Sequence, residues 1–338
     1  TNLTLRLRYY GFYMWIICEF YKKYEGSKDF THREHYNFIR RGELILAFLM
    51  ERNAPNEKSI IGSDFTVDSD SKIRKQFWDS FNKNGFYNIS LGADKLKDTV
   101  KGSVYWDFRS GALGQYYAGA LSNLELINTD SQFFQLEKRG EELANAFSES
   151  INETAQRKFL EIIESGRLTE DDIQQLDTFR INNISPLSTE WEFYIEMLSN
   201  KDGDGFQDSQ GVSTFMRKET IKLLLDYYKQ QDFTNDDRAF ILHQFNLNNQ
   251  SLSIGASFGW YYYYLNELTH FCIESIFWGL LHEMDKGLFT IKQFSDYIED
   301  KVHPEILILL KTKETKTIEE WKQTKVDIHK QPAIFLLS

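Results

Sequence analysis

The stretch SNLELINTDSQFFQLEKRGEEL, residues 122–143, decides how the chain is read. Two short runs, Leu124 to Ile127 and Phe133 to Leu136, are rich in strand-forming residues. Asn128-Thr129-Asp130-Ser131 separates them with residues that hydrogen-bond their own backbone in turns, so the spacing predicts one short β-hairpin. A charged helix, Glu137 to Ser150, is expected to follow. Upstream, Ser71 to Asn82 places Ile73, Phe77, Trp78 and Phe81 on one helical face. A weaker segment around Lys95 to Val100 and a helix over about residues 110–123 complete the order helix, helix, helix, hairpin, helix.

That order, with the Lys138-Arg139-Gly140 step after the second strand, resembles a winged-helix module over residues 71–151. The flanks read as helical. Leu3 to Tyr24 is apolar on most of its circumference and is stopped by Glu25-Gly26-Ser27. Thr31 and Glu34 have capping-box spacing and open a second helix through Phe38, Leu44 and Phe48. Asn53 to Asp70 reads as a loop. Beyond Asn152, helices are expected to start at Thr169 and at Thr189, the second with full capping-box chemistry. Further helices are expected over 213–231, 234–245 and 255–286, the last stopped by Gly287. The expected fold is mainly α, a multi-helix protein with a winged-helix-like unit carrying one short β-hairpin. Its expected divisions are an N-terminal helical hairpin and loop (1–70), the winged-helix-like unit (71–151) and a C-terminal helical domain (152–338).

Composition narrows the function classes. The 338 residues include 41% hydrophobic and 15% aromatic side chains, with 4 Pro and 2 Cys, which excludes disordered, collagen-like and disulfide-framework chains. Tyr9 to Cys18 is too short for a membrane span and runs into Glu19. Phe258 to Met284 carries Glu267, His270, Glu274 and His282, a density of ionisable groups too costly in hydrocarbon. No membrane contact is therefore expected, and the unpaired cysteines suit a reducing cytoplasm. The chain opens at Thr1, so some native N-terminal sequence is expected to be missing from it.

Charge is unevenly placed. Residues 1–53 hold nine Lys/Arg against six Asp/Glu, or +3, leaving −14 for the rest of a −11 chain. Arg6 and Arg8 on the first helix, with Arg40 and Arg41 on the second, are candidates to converge on phosphates or an acidic partner. The competing reading pairs them with carboxylates such as Glu43 and Glu19 at the rim of a core. In the winged-helix-like unit the recognition position offers Arg109, Gln115, Tyr116 and Tyr117, but no Lys or Arg inside the helix. That surface suits a protein partner better than a duplex. Asn200, Asp202, Asp204 and Asp208 have the spacing of a calcium loop, yet Gly211 stands where the bidentate glutamate belongs. Glu267-Leu-Thr-His270 has the spacing of a di-iron helix without a second copy. The sequence has no phosphate loop, dinucleotide fingerprint or nucleophile elbow, so no catalytic residue, resident metal or cofactor is expected.

Several phrases together look similar to a bacterial group of helical proteins encoded in anti-phage defence islands, beside nucleases and ABC/SMC-type ATPases. These are LRLRYYGFYMW (5–15), FIRRGELILAF (38–48), IIGSDF (60–65), GALGQYYAGALSNLEL (111–126), FFQLEKRGEELANAF (133–147), STEWEFYIEML (188–198) and WYYYYLNELTHFCIESIFWGLL (260–281). The resemblance implies a non-catalytic accessory or scaffold subunit with nuclease and ATPase partners, touching DNA indirectly or through the N-terminal basic residues. Two other expectations stand beside it: a winged-helix DNA-binding protein using the N-terminal arginines, and an enzyme with dispersed active-site residues.

Overall fold

A helix that is apolar all round must be covered all round, and α1 (Arg8–Lys23) is. Phe12, Tyr13, Met14, Trp15, Ile16 and Ile17 are all buried, so α1 runs through the centre of the N-terminal unit. The structure, a computed structural model, describes residues 6–25, 30–129, 133–199, 214–229, 237–248, 255–284, 287, 290–297 and 300. Within these the protein is mainly helical. The second central helix, α2 (His32–Asn53), starts at the expected capping box. Thr31 Oγ1 accepts the Glu34 N–H at 3.2 Å, while Glu34 Oε2 accepts the Thr31 N–H at 2.7 Å.

Shorter elements wrap this pair. In order they are α3 (Ser63–Val67), α4 (Lys75–Asn84), β1 (Tyr87–Asn88), α5 (Ile89–Ala93), a π-helical turn (Leu113–Tyr117) and α6 (Ala118–Asn123). Then come β2 (Ile127–Asn128), β3 (Gln135–Leu136), α7 (Lys138–Glu149), α8 (Glu153–Ser165), β4 (Arg167–Leu168), α9 (Glu170–Gln175), a 3-10 turn (Asp177–Phe179) and α10 (Thr189–Ser199). Helix α1 packs on α7 and α2, α2 on α5, α8 and α9, and α10 on α7. The expected hairpin is present, with Ile127 opposite Leu136 and Asn128 opposite Gln135. It lies against α7, where Gly140 lets the Leu126 carbonyl approach so closely that any Cβ would collide with it.

Three expectations change. The divisions at 70/71 and 151/152 do not separate cores, because one hydrophobic cluster runs from Tyr9 to Met197. Strand β1 also pairs antiparallel with β4, Tyr87 opposite Leu168, across the second expected boundary. The compact units are instead residues 1–215 and 216–338. Lys95 to Val100 forms no helix, since the helical turn falls earlier, in α5. The cap of α10 is Ser188, whose Oγ accepts the Trp191 N–H at 3.1 Å, and not Thr189, because Glu190 is drawn into the core.

The C-terminal unit takes in most of α11 (Thr214–Tyr228), with α12 (Asp237–Asn248), α13 (Ala256–Met284) and α14 (Ile291–Tyr297). Phe245 of α12 and Tyr264 of α13 form its buried centre, with Tyr261, Leu265 and Leu268 packed beside them. Among the described residues no helix is long and apolar enough to cross a membrane.

One buried group makes the N-terminal core acid-sensitive. His35 is fully buried among Phe20, Tyr21, Tyr36, Phe133 and Phe134, and neither ring nitrogen has a hydrogen-bond partner among the described residues. Burial, with a smaller contribution from nearby His32, pushes its pKa down to about 3 from an ordinary 6.5. The unfolded chain therefore takes up a proton near pH 6.5 that the folded chain refuses until about pH 3. Stability should fall on acidification through that window, by up to about 1.4 kcal/mol per pH unit from this group. Chemical denaturation at pH 6.5, 5.5 and 4.5 should show His35→Phe losing less stability per unit than wild type. Equal slopes would refute the assignment.

Candidate functional site

The four N-terminal arginines do not assemble into a surface patch. Arg8 is 2% exposed and forms an ion pair with Glu190, itself fully buried, at 3.1 Å. Its guanidinium also donates to the carbonyls of Thr178 (2.9 Å) and Arg180 (2.6 Å) and to Ser150 Oγ. Arg40 is fully buried and donates to the carbonyls of Ala93 (2.6 Å), Phe108 (2.6 Å) and Trp106 (2.8 Å). Arg41 grips Asp94 through both carboxylate oxygens, at 2.8 and 2.6 Å, and donates to the Ile163 carbonyl. Arg6 reaches Glu57 at 2.6 Å and the Lys58 carbonyl. Fully buried arginines cannot meet a partner, so Arg8 and Arg40 are corrected to core residues. Their charge is used to tie distant backbone carbonyls together.

Glu43 does not pair with these arginines, contrary to the competing sequence reading. Fully buried in α2, it accepts hydrogen bonds from the Tyr13 hydroxyl (2.8 Å), the Tyr105 hydroxyl, and the N–H groups of Ala112 (3.0 Å) and Leu113 (2.8 Å). Two of those donors open the helical segment carrying the π-helical turn, where free N–H groups and the helix dipole favour an anion. Burial pushes the Glu43 carboxyl up, opposed by these four bonds, and drives the Tyr13 and Tyr105 hydroxyls well above their ordinary range. Both tyrosines thus keep their hydroxyl protons, and with them their role as donors, at neutral pH. Gly111 is required beside them: its φ is +72°, and a Cβ would stand 2.6 Å from Glu43 Oε2.

The recognition-position residues divide. Tyr117 is fully buried against Tyr9, Tyr10 and Tyr13, so it too is core. Gln115 Oε1 accepts the Trp106 indole N–H at 2.9 Å, and Tyr116 packs edge-on against the same tryptophan. Arg109 is exposed, its guanidinium 5.5 Å from the Tyr36 ring centroid. Asn200, Asp202, Asp204 and Asp208 lie outside the described residues. Glu267, His270 and Glu274 are exposed on α13, and among the described residues no group of three His, Cys, Asp or Glu converges to hold a metal.

The structure brings together residues that spacing alone did not connect. Arg33, Tyr36 and Asn37 from the start of α2, Lys95, Leu96 and Lys97 from the loop after α5, and Arg109 line one cleft of about 400 Å³. Only Arg109 had been singled out from the sequence. The available signal was Arg33, a cation in the first turn of a helix, where the dipole disfavours it. No family model matches the sequence, and no curated protein or solved structure matches it significantly.

The Glu43 arrangement predicts a large stability effect. Glu43→Leu removes the acceptor of two buried hydroxyls and two buried N–H groups, and should cost about 3–5 kcal/mol in denaturant unfolding. A loss below about 1 kcal/mol, the size of an ordinary surface change, would contradict the geometry.

Proposed function

We propose that the chain is a non-catalytic accessory subunit of a bacterial anti-phage defence complex, where it links or regulates a nuclease effector and a DNA-sensing ABC/SMC-type ATPase. The motifs at 5–15, 38–48, 111–126 and 260–281 support this reading through their resemblance to that group. The observation that carries it is the two-sided character of α13. One side, Tyr261, Tyr264, Leu265 and Leu268, packs with Phe245 of α12. The other holds Tyr262 (59% exposed), Ile273 (60%), Phe277 (57%), Leu281 (43%) and Met284 (44%). At 100° per residue these five fall within an arc of about 100°, over about 33 Å of helix. Exposed Asn266 and His270 share that arc, so the apolar strip runs from Ile273 to Met284 with Tyr262 set apart from it, and such an exposed apolar surface is the usual mark of an interaction site.

Exposed Glu267 and Glu274 lie along one edge of that arc. The occupant is therefore the apolar face of a partner subunit's helix, flanked by Lys or Arg. Co-expression with a nuclease and an ABC/SMC-type ATPase of such a defence island should give one complex whose mass exceeds that of the chain alone. Phe277→Asp with Leu281→Asp should abolish it while leaving circular dichroism and Tm unchanged. A chain that stays monomeric beside those products, or a double variant that assembles as wild type does, would refute the proposal.

A further inference from the structure

The cleft between α2, the loop after α5 and Arg109 has the makings of an anion site in the N-terminal unit. Four of its seven lining residues are cations and none is a carboxylate. Lys95 meets Asp107 only loosely, at 3.4 Å. Arg33, Lys97 and Arg109 have no ion pair among the described residues, and Arg33 stands where the positive end of α2 repels it. Arg109 rests over the Tyr36 ring, and no ion pair among the described residues accounts for the charges of Arg33 and Lys97.

A second observation points to the same ligand chemistry. Asn37 is only 8% exposed, and its Oδ1 accepts the Lys95 backbone N–H at 3.1 Å. That bond fixes which amide atom is which. Asn37 itself lines the cleft, and its Nδ2 group has no hydrogen-bond acceptor among the described residues. The walls are pinned from behind, because buried Arg40 binds the carbonyls of Ala93, Trp106 and Phe108, which precede Lys95 and Arg109 in the two loops. Donors held in place before a ligand arrives lose little entropy on binding it.

We propose that this cleft binds a small phosphate-bearing ligand of mononucleotide size. Arg33, Lys95, Lys97 and Arg109 would surround the phosphates, and the Asn37 amide would donate to a phosphate oxygen. Arginine forks match phosphate geometry, and lysines add point charge. Leu96, 46% exposed, and the Tyr36 ring give an apolar wall for the rest of the ligand. A volume of about 400 Å³ suits a small molecule. These four cations surround one concavity, whereas a duplex needs a basic track many phosphates long. The site is separate from the α13 strip, so either proposal stands if the other fails.

The test is isothermal titration calorimetry of the full chain at low salt with ATP, ADP and inorganic pyrophosphate. Saturable binding that weakens as salt rises is expected. Arg33→Glu and Arg109→Ala should each weaken it by about tenfold or more, while Arg109→Lys should retain most of it. The unliganded Arg33→Glu protein should melt no lower than wild type, which separates ligand binding from folding. No binding of any of the three at millimolar concentration would overturn the proposal, as would unchanged affinity in an Arg33→Glu/Arg109→Ala double variant. A 20-base-pair duplex that binds more tightly than ATP and is lost in the same variants would overturn it in favour of nucleic acid.

Discussion

The Glu43 carboxylate, fully buried and met by four donors from three other places in the chain, is the constraint around which the N-terminal unit is built. Burying a carboxylate costs several kcal/mol, and only a complete set of hydrogen bonds offsets that cost. The set here comes from α1 (Tyr13), from the loop before the π-helical turn (Tyr105), and from the helical segment's own N-terminus (Ala112 and Leu113). Loss of any one donor would leave a charge undersatisfied in a low-dielectric core. The requirement reaches into the sequence: Gly111 has to be glycine, and two tyrosines must sit 92 positions apart with their hydroxyls on the same carboxylate. A π-helical turn directly after this cap is in keeping with a helix whose start is fixed by tertiary bonds rather than by its own repeat.

Arg40 and Arg8 extend the same logic with the opposite sign. Arg40 lies one turn before Glu43 on α2, and its guanidinium stacks 5.0 Å from the Tyr105 ring. Tyr105 therefore lies between a buried cation and a buried anion and is fixed by both. Arg8 ties α1 to the carbonyls of residues 178 and 180 and to Glu190 of α10, with Tyr194 donating to the same carboxylate at 2.9 Å. Two of the N-terminal cations, Arg8 and Arg40, are thus internal. Among the cations nearer the surface, Arg33, Lys95, Lys97 and Arg109 are gathered from three separate segments into the cleft at the start of α2.

Much of the local structure was legible because its cause is local. The all-round apolar face of α1 announced a central helix, Thr31 and Glu34 announced the start of α2, and the turn residues after Ile127 announced the hairpin. The long-range polar structure was not legible. Arg8 finds Glu190 across 182 positions, and nothing in either residue's neighbourhood marks the pairing. Arg40 looks like a surface arginine because its partners are backbone carbonyls, which every residue has. Thr189 was misread as a cap because Glu190 and Glu192 imitate first-turn acids, whereas Glu190 serves the core. Segment boundaries drawn from the helix order failed for a related reason, since β1 and β4 join across them and one aromatic core spans residues 9–197.

If Glu43 holds the start of the helical segment at Ala112 and Leu113, those two amides open only when the unit unfolds. Native-state hydrogen exchange, read at single amides across a denaturant series, tests this directly. Their opening free energy should equal the global unfolding free energy and fall with the same denaturant dependence. Opening several kcal/mol below the global value, with little denaturant dependence, would mark a frayed helix end and contradict the account.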